Sequence, residues 1–323
     1  MARPLRIQFE GAVYHVTGRG NERKKIYYSK RDYERFKEYI AEAKEKYRFV
    51  LHGYVLMTNH YHLLIETPEK NLSKIMHHIN SSYTTYTNVK RKRSGHLFQG
   101  RYKAIVVEKD NYLLELSRYL HLNPVRAKIV EKPEDYPYSS YSSYISPHCE
   151  ALVTRSVILE MFRTNESEAR KQYRTFLEAG LDGAMESPMM KVYGGMILGS
   201  LDFIKEILGK VEEGELEKEA ISYRKALQAP LGADEVLSAV CKHYGISREE
   251  ATSGGRGEVR KMCLYLMKKY TVATIREICG LLGGLKYEAL AKMYQRFLRE
   301  LAENSQLRKE AEKIGKALSN VRG

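Results

Sequence analysis

The sequence predicts an α+β protein: an antiparallel split βαβ sheet with helices on one face, followed by an all-α part of helix-turn-helix type. Three observations carry that expectation. Runs of strand period and of helix period alternate through the first 123 residues. Glycines and a proline replace periodic pattern in "ESPMMKVYGGMILGS" (186–200). From about Ala233 onward, only amphipathic helical segments follow.

The elements are predicted in order. "GAVYHVTG" (11–18) reads as a strand, "RDYERFKEYIAEAKEKY" (31–47) as a helix, and "FVLHGYVLM" (49–57) as a second strand. "TNHYHLLIE" (58–66) opens on turn residues and continues as a strand, which makes a hairpin with its predecessor. A helix is predicted from Asn71 to Tyr86, with Leu72, Ile75, Met76 and Ile79 on one face. "RYKAIVVE" (101–108) is a further strand, and "NYLLELSRYLHLN" (111–123) a helix that Pro124 ends. The order β-α-β-β-α-β-α is that of a ferredoxin-like split βαβ arrangement.

A turn-rich tract occupies 134–146, and residues 186–200 are the best linker. The predicted division is therefore 1–146, a helical extension and linker over 147–232, and a compact helical domain over 233–323. Within "TIREICGLLGGLKYEALAKMYQRFLREL" (274–301), two helices join at Gly283-Gly284, with Thr274 and Glu277 forming a capping box. Such a pair has helix-turn-helix grammar, which many helical hairpins share.

Composition narrows the function classes. The 323 residues carry a formal charge of +14, which favours a polyanionic partner. Residues 1–150 hold 26 Lys and Arg against 16 Asp and Glu, and the remainder holds 28 against 24, so the excess sits mainly in the first part. The four cysteines contain no C-x-x-C pair, against both a zinc module and a disulfide framework. No run approaches transmembrane length and no apolar leader follows the start. A cytoplasmic protein with no membrane partner is expected.

The chemistry centres on the H-Y-H strand. Side chains alternate along a strand, so His60, His62, Leu64 and Glu66 share one face while Tyr61, Leu63 and Ile65 take the other. Two imidazoles at i and i+2 can converge on one divalent ion, although H-x-H alone arises easily by chance and by itself favours two ordinary surface or capping histidines. On the helix before Pro124, Tyr119 and Asn123 stand one turn apart, and Leu113, Leu116 and Leu120 form the sheet-facing stripe. Asn123 can offer a neutral oxygen as a third ligand, beside the hydroxyl of Tyr119. A phenol has a pKa of about 10 and is a weak nucleophile unless aimed at an activated centre. A phosphodiester polarised by a divalent cation is such a centre.

Four stretches together carry a resemblance: "YHVTGRGNERKKIY" (14–27), "MTNHYHLLIE" (57–66), "GHLFQGRYKA" (95–104) and "YLHLNPVRA" (119–127). With them, residues 1–146 resemble the single-tyrosine HUH transposases of the IS200/IS605 class, and more closely the REP-associated tyrosine transposases. The resemblance implies Mg²⁺ or Mn²⁺ on His60 and His62, Asn123 as third ligand, and Tyr119 as the nucleophile. The implied reaction is cleavage and rejoining of single-stranded DNA at hairpin-forming repeats, through a 5′-phosphotyrosine. It also assigns DNA contacts: Arg19 and Arg23 in "GRGNER", and Lys90, Arg91, Lys92, Arg93, Arg101 and Lys103 in the basic stretch 88–103. Phe98 and Tyr102 are available there to stack on unpaired bases. Monomer and homodimer both remain open.

Residues 236–284 resemble the DNA-binding C-terminal domain of the replication initiator DnaA, with Arg260 matching a basic residue of its middle helix. The initiator's signature after the glycine pair is missing, since Leu285, Lys286, Tyr287 and Glu288 stand there. Two roles stay open for this region, binding duplex DNA beside the cleavage site or docking a protein partner. The alternative reading is a non-catalytic, sequence-specific DNA-binding regulator on the same fold. A replication or mobilisation nuclease of the HUH type fits less well, because only one tyrosine is suitably placed.

Overall fold

The computed structural model describes residues 7–162, 164–181, 187–212, 231–252, 257–271, 273, 275–285 and 287–320. The chain divides into two compact units that meet in the sequence between Met189 and Met190, inside the glycine- and proline-containing stretch.

The first unit runs β1 (Ala12–Arg19), α1 (Lys30–Tyr47), β2 (Val50–Met57), β3 (His60–Thr67), α2 (Leu72–Lys90), β4 (Lys103–Val107), α3 (Lys109–His121) and α4 (Asn123–Arg126). The short helices α5 (Tyr141–Ile145) and α6 (Ser156–Glu160) and the longer α7 (Glu166–Glu178) complete it. Its strands stand in the order β2-β3-β1-β4, and each neighbouring pair is antiparallel. β3 thus inserts between β1 and β2, as a split βαβ arrangement requires.

Register decides which residues share a face. His62 stands opposite Thr17, His60 opposite Arg19, and Leu64 opposite His15. On the other face the Tyr61 ring packs 5.0 Å from Phe36 of α1, and its hydroxyl donates to Asn80 Oδ1 of α2. Tyr61 therefore points away from the histidines. α1 and α2 cover the tyrosine face, while α3 covers the histidine face, where the Tyr119 ring meets His15 and His62. Helices stand on both faces rather than one. The reason is the apolar stripe of α3: Leu113, Leu116 and Leu120 are buried, and only the second sheet face remained for them.

Local features also differ from expectation. α2 continues to Lys90, into the basic stretch. α3 ends at His121, and Asn123 begins α4, because Pro124 has no N–H to donate back along the helix. The turn-rich tract covers the sheet edge: Tyr54 and Ser140 exchange bonds along β2, and Leu56 N donates to Tyr138 O. That contact occupies main-chain groups an edge strand otherwise leaves open.

The first unit also continues past residue 146. Lys44 donates to the carbonyls of Ala151 and Leu152, Thr154 N to Leu51 O, and Arg118 to Phe176 O.

The second unit contains a short strand β5 (Ile197–Leu198) and helices α8 (Leu201–Glu212), α9 (Ala233–Tyr244), α10 (Arg248–Thr252) and α11 (Gly257–Tyr270). α12 (Ile275–Leu281), α13 (Tyr287–Glu303) and α14 (Ser305–Asn320) follow. Val236, Val240, Met262, Leu266, Phe297 and Ile314 build its core. The turn after α12 holds Gly283 and Gly284 at φ +78° and +70°. Thr274, the first half of the expected capping box, lies outside the described residues.

Candidate active site

β3 delivers His60 and His62 to one face, as strand parity requires. Their rings lie 5.1 Å apart between centroids. Each ring is held at Nδ1: His60 pairs with Asn59 Oδ1 at 2.7 Å, and His62 with His15 Nε2 at 2.9 Å. The nitrogen left on each imidazole for a ligand is Nε2.

Burial lowers the pKa of His60 to about 4, helped by the positive charge of Arg19. Burial also pushes His62 well below the usual imidazole range, with His15, His60 and Arg19 adding to the effect. At neutral pH both rings are uncharged, the form that binds a cation.

α3 brings the tyrosine. The Tyr119 ring stands edge-on to His15 at 6.2 Å and to His62 at 6.3 Å. The Arg126 guanidinium lies 5.4 Å from the centre of the same ring. Asn123 turns its amide back, Nδ2 donating to the Tyr119 carbonyl at 3.0 Å, a bond that does not use its Oδ1. α3 is seated by His121, which is fully buried. Its Nδ1 pairs with the Tyr173 hydroxyl at 2.7 Å and its Nε2 with Ser140 Oγ at 2.8 Å.

A pocket of about 380 Å³ opens beside the histidine pair, lined by Thr17, Gly18, Arg19, His60, His62, Gln99, Arg101 and Lys103. Three cations and no carboxylate stand in that wall. Neither Tyr119 nor Asn123 is part of it.

The basic stretch does not act as one surface. Arg19, Arg101 and Lys103 reach the pocket. Lys90 and Arg91 instead pair with Asp32 at 2.6 and 2.9 Å, fastening the end of α2 to the start of α1. Arg93 donates to the His96 carbonyl. Lys92 is exposed, at a positive φ of 48°. Arg23 is exposed in a short turn, where its carbonyl accepts from Asn59.

Of the two aromatics, Phe98 lies edge-on to Tyr61 at 5.9 Å. Tyr102 is buried, with its hydroxyl 3.3 Å from Ser73 Oγ, so its ring is not presented for stacking. Glu66, on the histidine face, is taken by His52 and Lys109, each at 2.8 Å. In the second unit, Arg260 donates through Nε and Nη2 to the Leu282 carbonyl, which ties α11 to the end of α12.

Sequence reasoning missed His15, Gln99, His121 and Arg126. For His15 a signal was present: Thr17 and Arg19 share its strand parity. What pairs it with His62 is the β1–β3 register, which no single strand reveals.

Several known proteins share stretches with this chain. Residues 8–123 match the family model described as "Transposase IS200 like". Over 144 residues the chain is 26% identical to a "Putative REP-associated tyrosine transposase" of Haemophilus influenzae, covering 41% of this chain and 81% of that protein. Over 97 residues it is 27% identical to the "Chromosomal replication initiator protein DnaA" of Chloroflexus aurantiacus, covering 29% of this chain. The chain spans only about 20% of that initiator's length. A solved "Structure of the REP associates tyrosine transposase bound to a REP hairpin" shares 18% identity at a TM-score of 0.41, covering 48% of this chain and 91% of that one. No helix among the described residues is long and apolar enough to cross a membrane. Residues 8–123, where the histidine pair and Tyr119 both lie, are thus the part of this chain that is similar to the IS200-like transposases.

Proposed function

We propose that the first unit is a metal-dependent, single-tyrosine DNA transesterase that cleaves and rejoins single strands at hairpin-forming repeats. The observation that carries this reading is the meeting of Tyr119 with His62 on one sheet face of one chain. The cationic pocket beside them and the kinship with transposases support it.

The donor set fits a divalent ion in part. Two imidazoles with Nδ1 anchored and Nε2 left over offer nitrogen donors, while the oxygens that Mg²⁺ or Mn²⁺ prefers would come from Asn123, phosphate and water. Among the described residues no group of three or more His, Cys, Asp and Glu side chains could hold a metal. His60 and His62 would therefore hold the ion with the side-chain oxygen of Asn123, leaving positions for phosphate. Such an ion supplies positive charge at a nonbridging phosphate oxygen.

The protein's own residues do the rest. Arg19, Arg101 and Lys103 draw the strand's phosphates to the histidine face. The Tyr119 oxygen attacks phosphorus in line, the P–O3′ bond breaks, and the departing 3′-oxygen takes up a proton. Arg126 places positive charge near the phenol ring. No water is consumed, so the phosphotyrosine bond keeps the energy for rejoining when another 3′-hydroxyl attacks it.

The test is a covalent-adduct assay. Labelled single-stranded oligonucleotides from repeats flanking the gene are mixed with the protein, with Mn²⁺ or Mg²⁺ and with EDTA, then run on a denaturing gel. A metal-dependent shifted band is expected, absent in Tyr119→Phe. DNA binding without any adduct would favour the non-catalytic regulator instead.

The likeness to replication initiators supports a second, separate role, duplex DNA binding by the second unit. Arg260 contributes there by holding the α11–α12 junction, since its guanidinium is engaged with Leu282.

A further inference from the structure

His15 is almost wholly buried, at 3% exposure, on β1. Its ring lies edge to edge with that of His62, with centroids 5.1 Å apart and an interplanar angle of 11°. The two are joined by one hydrogen bond, His15 Nε2 to His62 Nδ1, at 2.9 Å. Its other nitrogen, Nδ1, is buried with no hydrogen-bond partner. A core built for stability alone would place an apolar ring there, because an unsatisfied buried polar atom is destabilising.

The bond has two possible directions, and they differ at the far nitrogen. If His15 donates, His62 keeps its proton on Nε2 and has no lone pair there for a cation. If His62 donates, Nε2 is bare. Asn59 makes the matching choice for His60, because a carbonyl oxygen can only accept, so His60 carries its proton on Nδ1. Both rings then present Nε2.

We propose that His15 is a positioning residue for the cation site: by accepting the Nδ1–H of His62, it holds that ring in the orientation and tautomer that ligate a divalent ion. The inference rests on the metal-dependent reading above. Partners of this kind, behind a ligating histidine, typically change metal affinity by about 10- to 100-fold when removed. His15 Nδ1 then carries the proton without a partner, which is why the site tolerates an orphan group in its core.

Two variants separate the hydrogen bond from packing. His15→Gln keeps an acceptor near the Nε2 position, and His15→Leu removes it. Mn²⁺ affinity is measured on the full-length chain by calorimetry and electron paramagnetic resonance, without DNA, beside thermal unfolding of the metal-free proteins. His15→Leu is expected to weaken Mn²⁺ binding by about 10- to 100-fold without lowering the unfolding temperature, and His15→Gln to recover most of it.

Equal affinity in wild type and His15→Leu would overturn the proposal. So would equal losses in both variants, which would make the effect one of packing. If neither variant folds, ¹⁵N spectra of the Mg²⁺-loaded wild type decide: His62 protonated at Nδ1 supports the proposal, and protonation at Nε2 sinks it. A wild type that binds no divalent ion at all would remove the metal reading itself, and this inference with it.

Discussion

At the residue scale, Asp32 shows how a single carboxylate redirects neighbouring charge. It sits at the start of α1 with its side chain 3% exposed, paired to Lys90 and Arg91. The main-chain N–H groups of Tyr28 and Ser29 donate to it as well. Burial alone would raise its pKa, but Lys90, the Tyr28 amide, Arg91 and the Tyr86 hydroxyl outweigh that and hold the carboxyl far below the usual range. The folded value is depressed, so its stabilisation is complete above the ordinary value of 3.8 and drains away as pH falls below it. Asp32→Ala should cost about 3 kcal/mol in denaturant unfolding, because two cations lose their partner. A loss well under 1 kcal/mol would mean the network is only a solvated surface cluster. Beside Tyr119, Arg126→Gln should slow adduct formation by about tenfold while oligonucleotide affinity changes little. Unchanged adduct kinetics would show that its position over the Tyr119 ring has no chemical consequence.

At the scale of elements, the placement of α3 decides whether the site exists. Its leucine stripe seats it on the histidine face, and His121 pins its end to Ser140 and Tyr173. Leu116→Ala should cost about 3 kcal/mol by leaving a cavity under the helix, and adduct yield should fall with it as Tyr119 drifts from His62. Burial lowers the His121 pKa to about 3 from the ordinary 6.5. Its contribution is thus full above pH 6.5 and is lost as pH falls toward 3, because the unfolded chain takes up the proton first. Measured across that window, unfolding free energy should drop by up to about 1.4 kcal/mol per pH unit for this one residue. His121→Gln should flatten the slope, and an unaltered slope would mean the ring is not buried neutral. The sheet has a matching requirement at Gly18, where an added Cβ would stand 2.5 Å from the Tyr61 ring. Any larger residue there must displace Tyr61 and the α1–α2 packing behind it.

At the scale of the whole molecule, net charge sets the salt dependence of DNA binding while placement decides which cations contribute. For single strands the slope of log affinity against log salt changes by about 0.7 for each phosphate that the protein no longer neutralises. Arg19→Gln with Lys103→Gln should therefore reduce the slope by about 1.4, whereas Lys90→Gln should leave it nearly unchanged and destabilise the fold instead. The reverse result would return the DNA path to the end of α2.

Sequence alone determined the elements, the shared face of His60 and His62, the opposite face for Tyr61, and the stripe that carries Tyr119. All of these follow from local periodicity, which the backbone imposes within a few residues. Tertiary structure decided the rest, because each remaining contact joins residues far apart in the chain. The β1–β3 register brought His15 to His62, and the second sheet face received α3 because α1 and α2 already filled the first. Asp32 took Lys90 and Arg91 from 58 and 59 residues away, since a buried carboxylate must find opposite charge wherever the fold supplies it.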